Sequence, residues 1–154
     1  MLKKLSSITL LSILFVGCAS SPKIDSNLNQ KVKTLTSPAE GKAGIYVIGA
    51  SVPRDLWLDG QCLGTTGKKG FFYQEVLGGS EYIVSTESEF SPNHLTVKTE
   101  PGKFYYVQQY TKPSLVTVSS DVKLIDEVKG KQEIAKYSLV TVNKCYRKAI
   151  KLPR

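Results

Sequence analysis

The 154-residue chain is poor in histidine, a side chain that enzymes commonly use for proton transfer and metal binding. It has one histidine, His94, and one tryptophan. A Ser-His-Asp triad would need His94 beside a serine, and a zinc site would need two or three further ligands. The sequence also lacks the GxSxG motif of a nucleophile elbow. These features predict a protein that is not an enzyme and that has no cofactor and no metal site.

The first residues have the organisation of a targeting segment. Lys3 and Lys4 are followed by the apolar run ITLLSILFV at positions 8–16. A permanent membrane span needs about 20 apolar residues. The much shorter run is typical of a signal peptide, and we predict that the signal peptide comprises residues 1–17.

The end of the signal peptide, Val16-Gly17-Cys18, resembles the lipobox of bacterial lipoproteins. The resemblance implies cleavage before Cys18, a diacylglyceryl group on its thiol and acylation of the new amino group, with chains such as palmitate. Two or three such chains hold a protein firmly on a membrane. Ala19 rather than Asp implies the outer membrane, facing the periplasm. The alternative is an ordinary secretory peptide that is cut near Ala19.

The formal net charge is +8, and the basic residues are scattered along the chain rather than gathered in one block. Scattered charge is typical of a solvated surface. The alternative is a loose affinity for anionic partners, which in an envelope would be phospholipid headgroups, lipopolysaccharide or acidic wall polymers. Nucleic acid is not expected as a partner, because an exported chain does not meet it.

The chain changes character near residue 42. Residues 19–41 hold few large apolar side chains and show no sustained period. Such a segment cannot bury enough surface to offset the entropy lost on ordering. We therefore expect a lipidated N-terminus with a flexible tether over 18–41 and a folded domain over 42–154.

Short runs with period-two hydrophobicity dominate the domain, broken by turn residues such as Asp59-Gly60. We predict a mainly β fold, an antiparallel β-sandwich of about 7–9 short strands. One short helix near the C-terminus is predicted, with Asp126 and Glu127 in its first turn, Ile134 and Ala135 turned inward and Lys136 at its C-terminal end. The predicted strands lie within 44–50, 55–60, 71–76, 81–88, 94–99, 103–111, 115–126 and 137–142.

Several blocks of the domain resemble the bacterial lipoprotein family called domain of unknown function 2846. The resemblance implies an envelope-anchored β domain, and it brings no reaction and no catalytic residues. The blocks are GKAGIYVI (41–48), LWLDGQCLGTT (56–66), GFFYQEVLGGSEYIVSTES (70–88), PGKFYYVQQY (101–110) and VKLIDEVKGKQEI (122–134).

Two groups of residues are candidate sites besides Cys18. With Cys18 lipidated, Cys62 and Cys145 remain in an oxidising compartment, where they form either a disulfide or two unpaired thiols. Aromatic residues occupy both parities of two strands, so one set fills the core and the other is available as a binding face. The candidates for this face are Tyr73, Tyr105, Tyr106 and Tyr110.

The function predicted from these features is that of a membrane-anchored envelope protein with a non-enzymatic interaction or structural domain that binds an envelope protein or a glycan. One alternative is a small-ligand carrier or sensor with a cavity between the sheets. A less favoured alternative is an envelope hydrolase, which needs two acids converging in a cleft. The acids considered are Asp55, Asp59, Glu75, Glu87 and Glu89.

Overall fold

The computed structural model describes residues 24–66, 69–87, 93–112, 119–147 and 152. The predicted signal peptide and Cys18 lie outside the described residues. The elements are α1 (Ser26–Lys33), β1 (Lys42–Ile48), β2 (Asp55–Leu58), β3 (Gln61–Thr65), β4 (Gly70–Leu77), β5 (Glu81–Thr86), β6 (Asn93–Lys98), β7 (Phe104–Lys112), β8 (Ser119–Ile125), α2 (Glu127–Lys136) and β9 (Ser138–Leu139).

The described strands form two sheets. The five-stranded sheet has the order β8-β7-β1-β4-β9, and the four-stranded sheet has the order β3-β2-β5-β6. Strand β8 also packs against β5 and β6, so that the two sheets meet along this side. Pairing is antiparallel except between β1 and β7 and between β4 and β9. The prediction of a mainly β, antiparallel sandwich with a short helix near the C-terminus is confirmed, although the two parallel pairs were not predicted.

The inter-sheet core fills the space between the sheets. Its side chains come from alternate positions of strands in both sheets, as the period-two pattern predicted. Burying each large apolar side chain contributes about 1.5–3 kcal/mol. The members are Ile45, Val47, Leu56, Leu58, Leu63, Phe72, Val84, Val97, Val107 and Val122, each at most 8% exposed.

A second cluster, the helix-side core, lies on the opposite face of the five-stranded sheet. Helices α1 and α2 cover this face, and each contributes one buried apolar side chain, Val32 and Ile134. The remaining members come from β1, β4, β7 and β9. They are Tyr46, Ile48, Phe71, Tyr106 and Leu139.

Helix α1 falls in the segment that was expected to be a flexible tether, and this expectation is wrong for Ser26–Lys33. Asp25 caps the helix by accepting a hydrogen bond from the backbone N–H of Asn27 at 2.9 Å. The Tyr46 hydroxyl donates to the Val32 carbonyl at 2.8 Å. The sheet supplies the apolar surface that this polar helix lacks, which composition alone could not reveal.

Helix α2 begins after Asp126, whose carboxylate accepts a hydrogen bond from the Lys129 N–H at 2.9 Å. This agrees with the prediction, but only Ile134 is turned inward, while Ala135 is exposed. The hairpin partner of β2, strand β3, was not assigned as a strand from the sequence. The last predicted strand, 137–142, is reduced to Ser138–Leu139.

Gly130 explains how α2 approaches the sheet. A Cβ atom at this position would lie 2.2 Å from Cγ of Tyr106, so the helix rests on the tyrosine ring only because the side chain is absent. Glycine inside a helix costs about 1 kcal/mol relative to alanine. The close packing therefore outweighs the loss of helix propensity.

We predict that Gly130→Ala destabilises the domain by about 1–3 kcal/mol, because overpacking against Tyr106 exceeds the propensity gain. Urea unfolding followed by circular dichroism measures the change. Gln132→Ala, at an exposed position of the same helix, is the matched control and should have little effect. A Gly130→Ala variant more stable than the parent would contradict the contact.

Candidate functional site

Residues 140–147, which we call the C-terminal strap, run from the five-stranded sheet to the four-stranded sheet. At its start, the Val140 N–H donates to the Phe71 carbonyl at 2.7 Å. Further along, the Asn143 N–H donates to the Leu63 carbonyl at 3.0 Å, and the Asn143 side chain accepts from the Thr65 N–H at 2.9 Å. The strap thus bridges β4 and β3 across one side of the sandwich.

A buried carboxylate fixes the end of the strap. Asp55, the first residue of β2, is 2% exposed. One of its oxygens accepts hydrogen bonds from the backbone N–H groups of Tyr146 and Arg147, at 2.7 and 2.9 Å. The other accepts from the Thr65 hydroxyl. Hydrogen bonds to an ionised acceptor are stronger than neutral ones, and together they offset the cost of burying the charge.

A disulfide between Cys62 of β3 and Cys145 of the strap forms a covalent link beside this carboxylate, with Cα atoms 6.0 Å apart. Of the two alternatives drawn from the sequence, the structure contains the bonded pair. The cysteines are 83 residues apart, and in the chain-entropy model closing such a loop contributes about 4–5 kcal/mol. Cys18 is consequently the one cysteine of the chain outside this bond.

Ion pairs continue the network at the end of the strap. The Glu87 carboxylate lies 3.2 Å from Nε of Arg147 and 3.1 Å from an Arg54 nitrogen. Glu87 is thus bound by two arginines, one of which comes from the strap. A half-buried, bridged carboxylate contributes more than an isolated surface pair, whose typical value is about 0–1 kcal/mol.

The described acids considered for hydrolysis are all engaged in structural contacts. Asp55 and Glu87 hold the strap, as described above. Asp59 accepts from the Ile83 N–H at 2.7 Å, and Glu75 accepts from the Tyr73 hydroxyl at 3.0 Å. Glu89 lies outside the described residues. The described acids therefore stabilise the fold.

The four candidate tyrosines do not share one face, so the single binding face drawn from the sequence is wrong. Tyr105 packs against the inter-sheet core, whereas Tyr73 and Tyr106 point to the helix side. Tyr106 is 2% exposed beneath α2. Tyr110 is half-buried on the same side of the sheet as Tyr106, and its hydroxyl donates to Asp121 at 3.1 Å. Successive strand residues alternate sides, which separates Tyr105 from Tyr106.

Three tyrosine rings form the centre of the helix-side core. Tyr46 stacks on Tyr106 with ring centroids 5.0 Å apart and lies 4.7 Å from the ring of Tyr73. Burial, aided by the Glu127 charge, raises the pKa of Tyr106 to about 12. Burial likewise raises the pKa of Tyr46 and Tyr73 well above the usual value. These phenols stay neutral near pH 7 and act as packing groups, and the hydroxyls of Tyr46 and Tyr73 also donate hydrogen bonds.

The histidine considered above for a triad or a zinc site, His94, is a strand residue. It lies in β6 directly opposite Ser85 of β5. Within the described part of the chain, both ring nitrogens of His94 and the Ser85 hydroxyl are buried without a hydrogen-bond partner. No group of three histidine, cysteine or acidic side chains suited to a metal ion occurs among the described residues.

An open depression of about 250 Å³ lies at the helix-side end of the five-stranded sheet, lined by Ala50, Ser51, Lys69 and Tyr137. It is not the inter-sheet cavity that a ligand carrier was expected to have, because it opens to solvent outside the sandwich. Between the two sheets, the described residues form the inter-sheet core. Among the helices described, none has the length and apolar character needed to cross a membrane.

The fold defines a two-sheet β-sandwich with one helix-covered face, closed by a disulfide-linked strap. The model of the family described as "Protein of unknown function (DUF2846)" matches residues 39–122. An uncharacterised protein of Haemophilus influenzae is 33% identical over 139 residues, which cover 87% of this chain and 82% of that protein. The chain therefore belongs to the DUF2846 family. The matched range contains Cys62 and Asp55, while the strap lies beyond it.

Asp55→Asn should release the strap. The asparagine amide carries no charge, and its NH2 group would face the N–H and O–H groups that donate to the Asp55 carboxylate in the parent chain. We expect a loss of about 1.5–3 kcal/mol, the value of a hydrogen bond to a charged group, in the free energy of unfolding. Trypsin should also cut faster after Lys144 and Arg147, which mass spectrometry of the fragments measures.

Asp59→Asn is the matched control, because Asp59 is exposed and does not contact the strap. Cleavage at the strap should remain slow in this variant. Equal cleavage of the parent and Asp55→Asn chains would show that the carboxylate does not hold the strap.

Proposed function

We propose that this chain is a lipid-anchored protein of the bacterial envelope whose sandwich domain acts as a non-enzymatic interaction or structural module. The observation that carries the proposal is the use of Cys62 and Cys145 in a disulfide. Disulfides persist in oxidising compartments such as the periplasm. Cys18 is left over, at the end of the apolar run and in the setting that resembles a lipobox.

The polar side chains considered as candidate sites make structural contacts, and this supports the non-enzymatic part of the proposal. The described acids considered for hydrolysis hold backbone N–H groups, hydroxyls or arginines. Three of the four candidate tyrosines lie in or against the two cores. A domain with a disulfide-linked strap presents a rigid surface. Rigid surfaces bind partners at a low cost in conformational entropy.

Replacing the proposed lipid-bearing residue tests the anchor. Cys18→Ser should move the protein from the membrane fraction to a soluble form or leave it with an uncleaved signal peptide, because no thiol remains to receive the diacylglyceryl group. Ser20→Ala, two residues away, should leave the fractionation unchanged. Mass spectrometry of the parent's N-terminal peptide should give the mass of a diacylglyceryl cysteine. A dissolved parent chain with an unmodified Cys18 would refute the anchor.

Cross-linking in intact cells tests the interaction role. The full chain is compared with a chain truncated after residue 41, which keeps the proposed anchor and lacks the strands. Partners identified by mass spectrometry should be captured by the full chain and lost from the truncated one, because the sandwich would provide the contact surface. Identical sets of captured proteins and glycans would contradict the proposal.

A further inference from the structure

The proposed lipid lies close in sequence to a residue that packs on the fold. Ile24, the first described residue, contacts the helix-side core. Residues 19–23 alone separate it from Cys18. An extended chain spans at most about 3.3–3.6 Å per residue, so Cys18 lies within about 20 Å of Ile24. A lipid on Cys18 would therefore bring the helix-covered face of the domain close to the bilayer surface.

The cations of this face are available for an external partner. We call α1 and α2 together the helix layer. Within the described part of the chain, the structure gives Lys31 and Lys129 no carboxylate at ion-pair distance. Lys33 donates to the Ala135 carbonyl at 3.3 Å, which joins the two helices.

The acids of the helix layer are already used. Glu127 pairs with Lys131 at 2.6 Å, and Glu133 pairs with Lys136 at 3.2 Å. Asp25 and Asp126 accept hydrogen bonds at the N-termini of their helices. A capping hydrogen bond does not neutralise a carboxylate, so the helix layer with its two caps carries five lysines against four acids, a net charge of +1. In the described part of the chain, the charged side chains of this layer that have neither an ion pair nor a hydrogen bond are Lys31 and Lys129, and their charge is complementary to phosphate headgroups.

Two large apolar side chains are exposed on the same helices. Leu28 of α1 is 44% exposed, and Val128 of α2 is 69% exposed. Apolar side chains beside lysines are typical of helices that lie in the headgroup region of a membrane. Within the described part of the chain, α1 thus carries two lysines without an ion pair, Lys31 and Lys33, and α2 carries one, Lys129. Each of the two helices also has one large apolar side chain that is exposed.

We propose that the helix layer faces the membrane, with Lys31 and Lys129 against the phosphates of anionic phospholipids and Leu28 and Val128 at the headgroup boundary. The four-stranded sheet then faces away from the bilayer. This orientation rests on the proposed anchor at Cys18, which sets an upper limit on the distance between the lipid and the helix layer.

Lysine footprinting tests the orientation on the lipidated full-length mature chain. The chain is placed on vesicles of phosphatidylcholine with phosphatidylglycerol, treated with an amine-acylating reagent that does not cross membranes, and mapped by mass spectrometry. Relative to the same chain with Cys18→Ser, acylation of Lys31 and Lys129 should fall severalfold. Lys98, on the four-stranded sheet with 81% of its side chain exposed, is the internal control and should be unchanged.

The outcomes separate the orientation from the anchor. Recovery of the parent chain in the unbound fraction refutes the anchor. A bound chain in which Lys98 is protected as strongly as Lys31 and Lys129 refutes the orientation while leaving the anchor intact. On vesicles of phosphatidylcholine alone, the bound chain should show weaker protection of Lys31 and Lys129, and unchanged protection would overturn the role of anionic headgroups.

Discussion

The constraint on which the rest of the structure depends is the burial of strand β1 on both faces. Ile45 and Val47 fill the inter-sheet core, while Tyr46 and Ile48 point to the other side and are equally inaccessible. A strand that is apolar on both faces requires a layer on each side. The four-stranded sheet provides one layer, and the two helices provide the other. Residues upstream of β1 are therefore part of the folded domain.

The strap also covers an edge of the four-stranded sheet. Strand β3 lies at this edge, and unpaired edge groups invite pairing with other chains. Asn143 bonds to Leu63 and Thr65 of β3, while Cys145 and Asp55 secure the following residues. Burying the Asp55 charge is tolerable because three donors face it, two of which belong to the strap. The strap and the carboxylate thus stabilise each other.

Local patterns predicted the sandwich, α2 and all described strands except β3, because period-two hydrophobicity and acidic residues at the start of a helix are properties of short segments. The count of cysteines predicted a disulfide between Cys62 and Cys145 as one of two alternatives, the other being two unpaired thiols. The sequence could not predict α1, since Val32 alone supplies its buried face and the matching surface comes from β1. Which tyrosine side chains are covered also depends on tertiary structure. Alternation separates Tyr105 from Tyr106, but only the position of the helices decides that Tyr106 is covered.

The placement of α1 changes how far the domain could reach under the proposed anchoring. A coil over residues 19–41 would have a root-mean-square span on the order of 25–30 Å. With Ile24 packed against the helix-side core, covalent geometry limits Cys18 to within about 20 Å of Ile24. The anchor then constrains orientation as well as distance, because the short segment joins the fold at the helix layer. Under the proposed anchoring, the domain would meet partners that are themselves at the membrane surface, and its four-stranded sheet and strap would be the surfaces left to receive them.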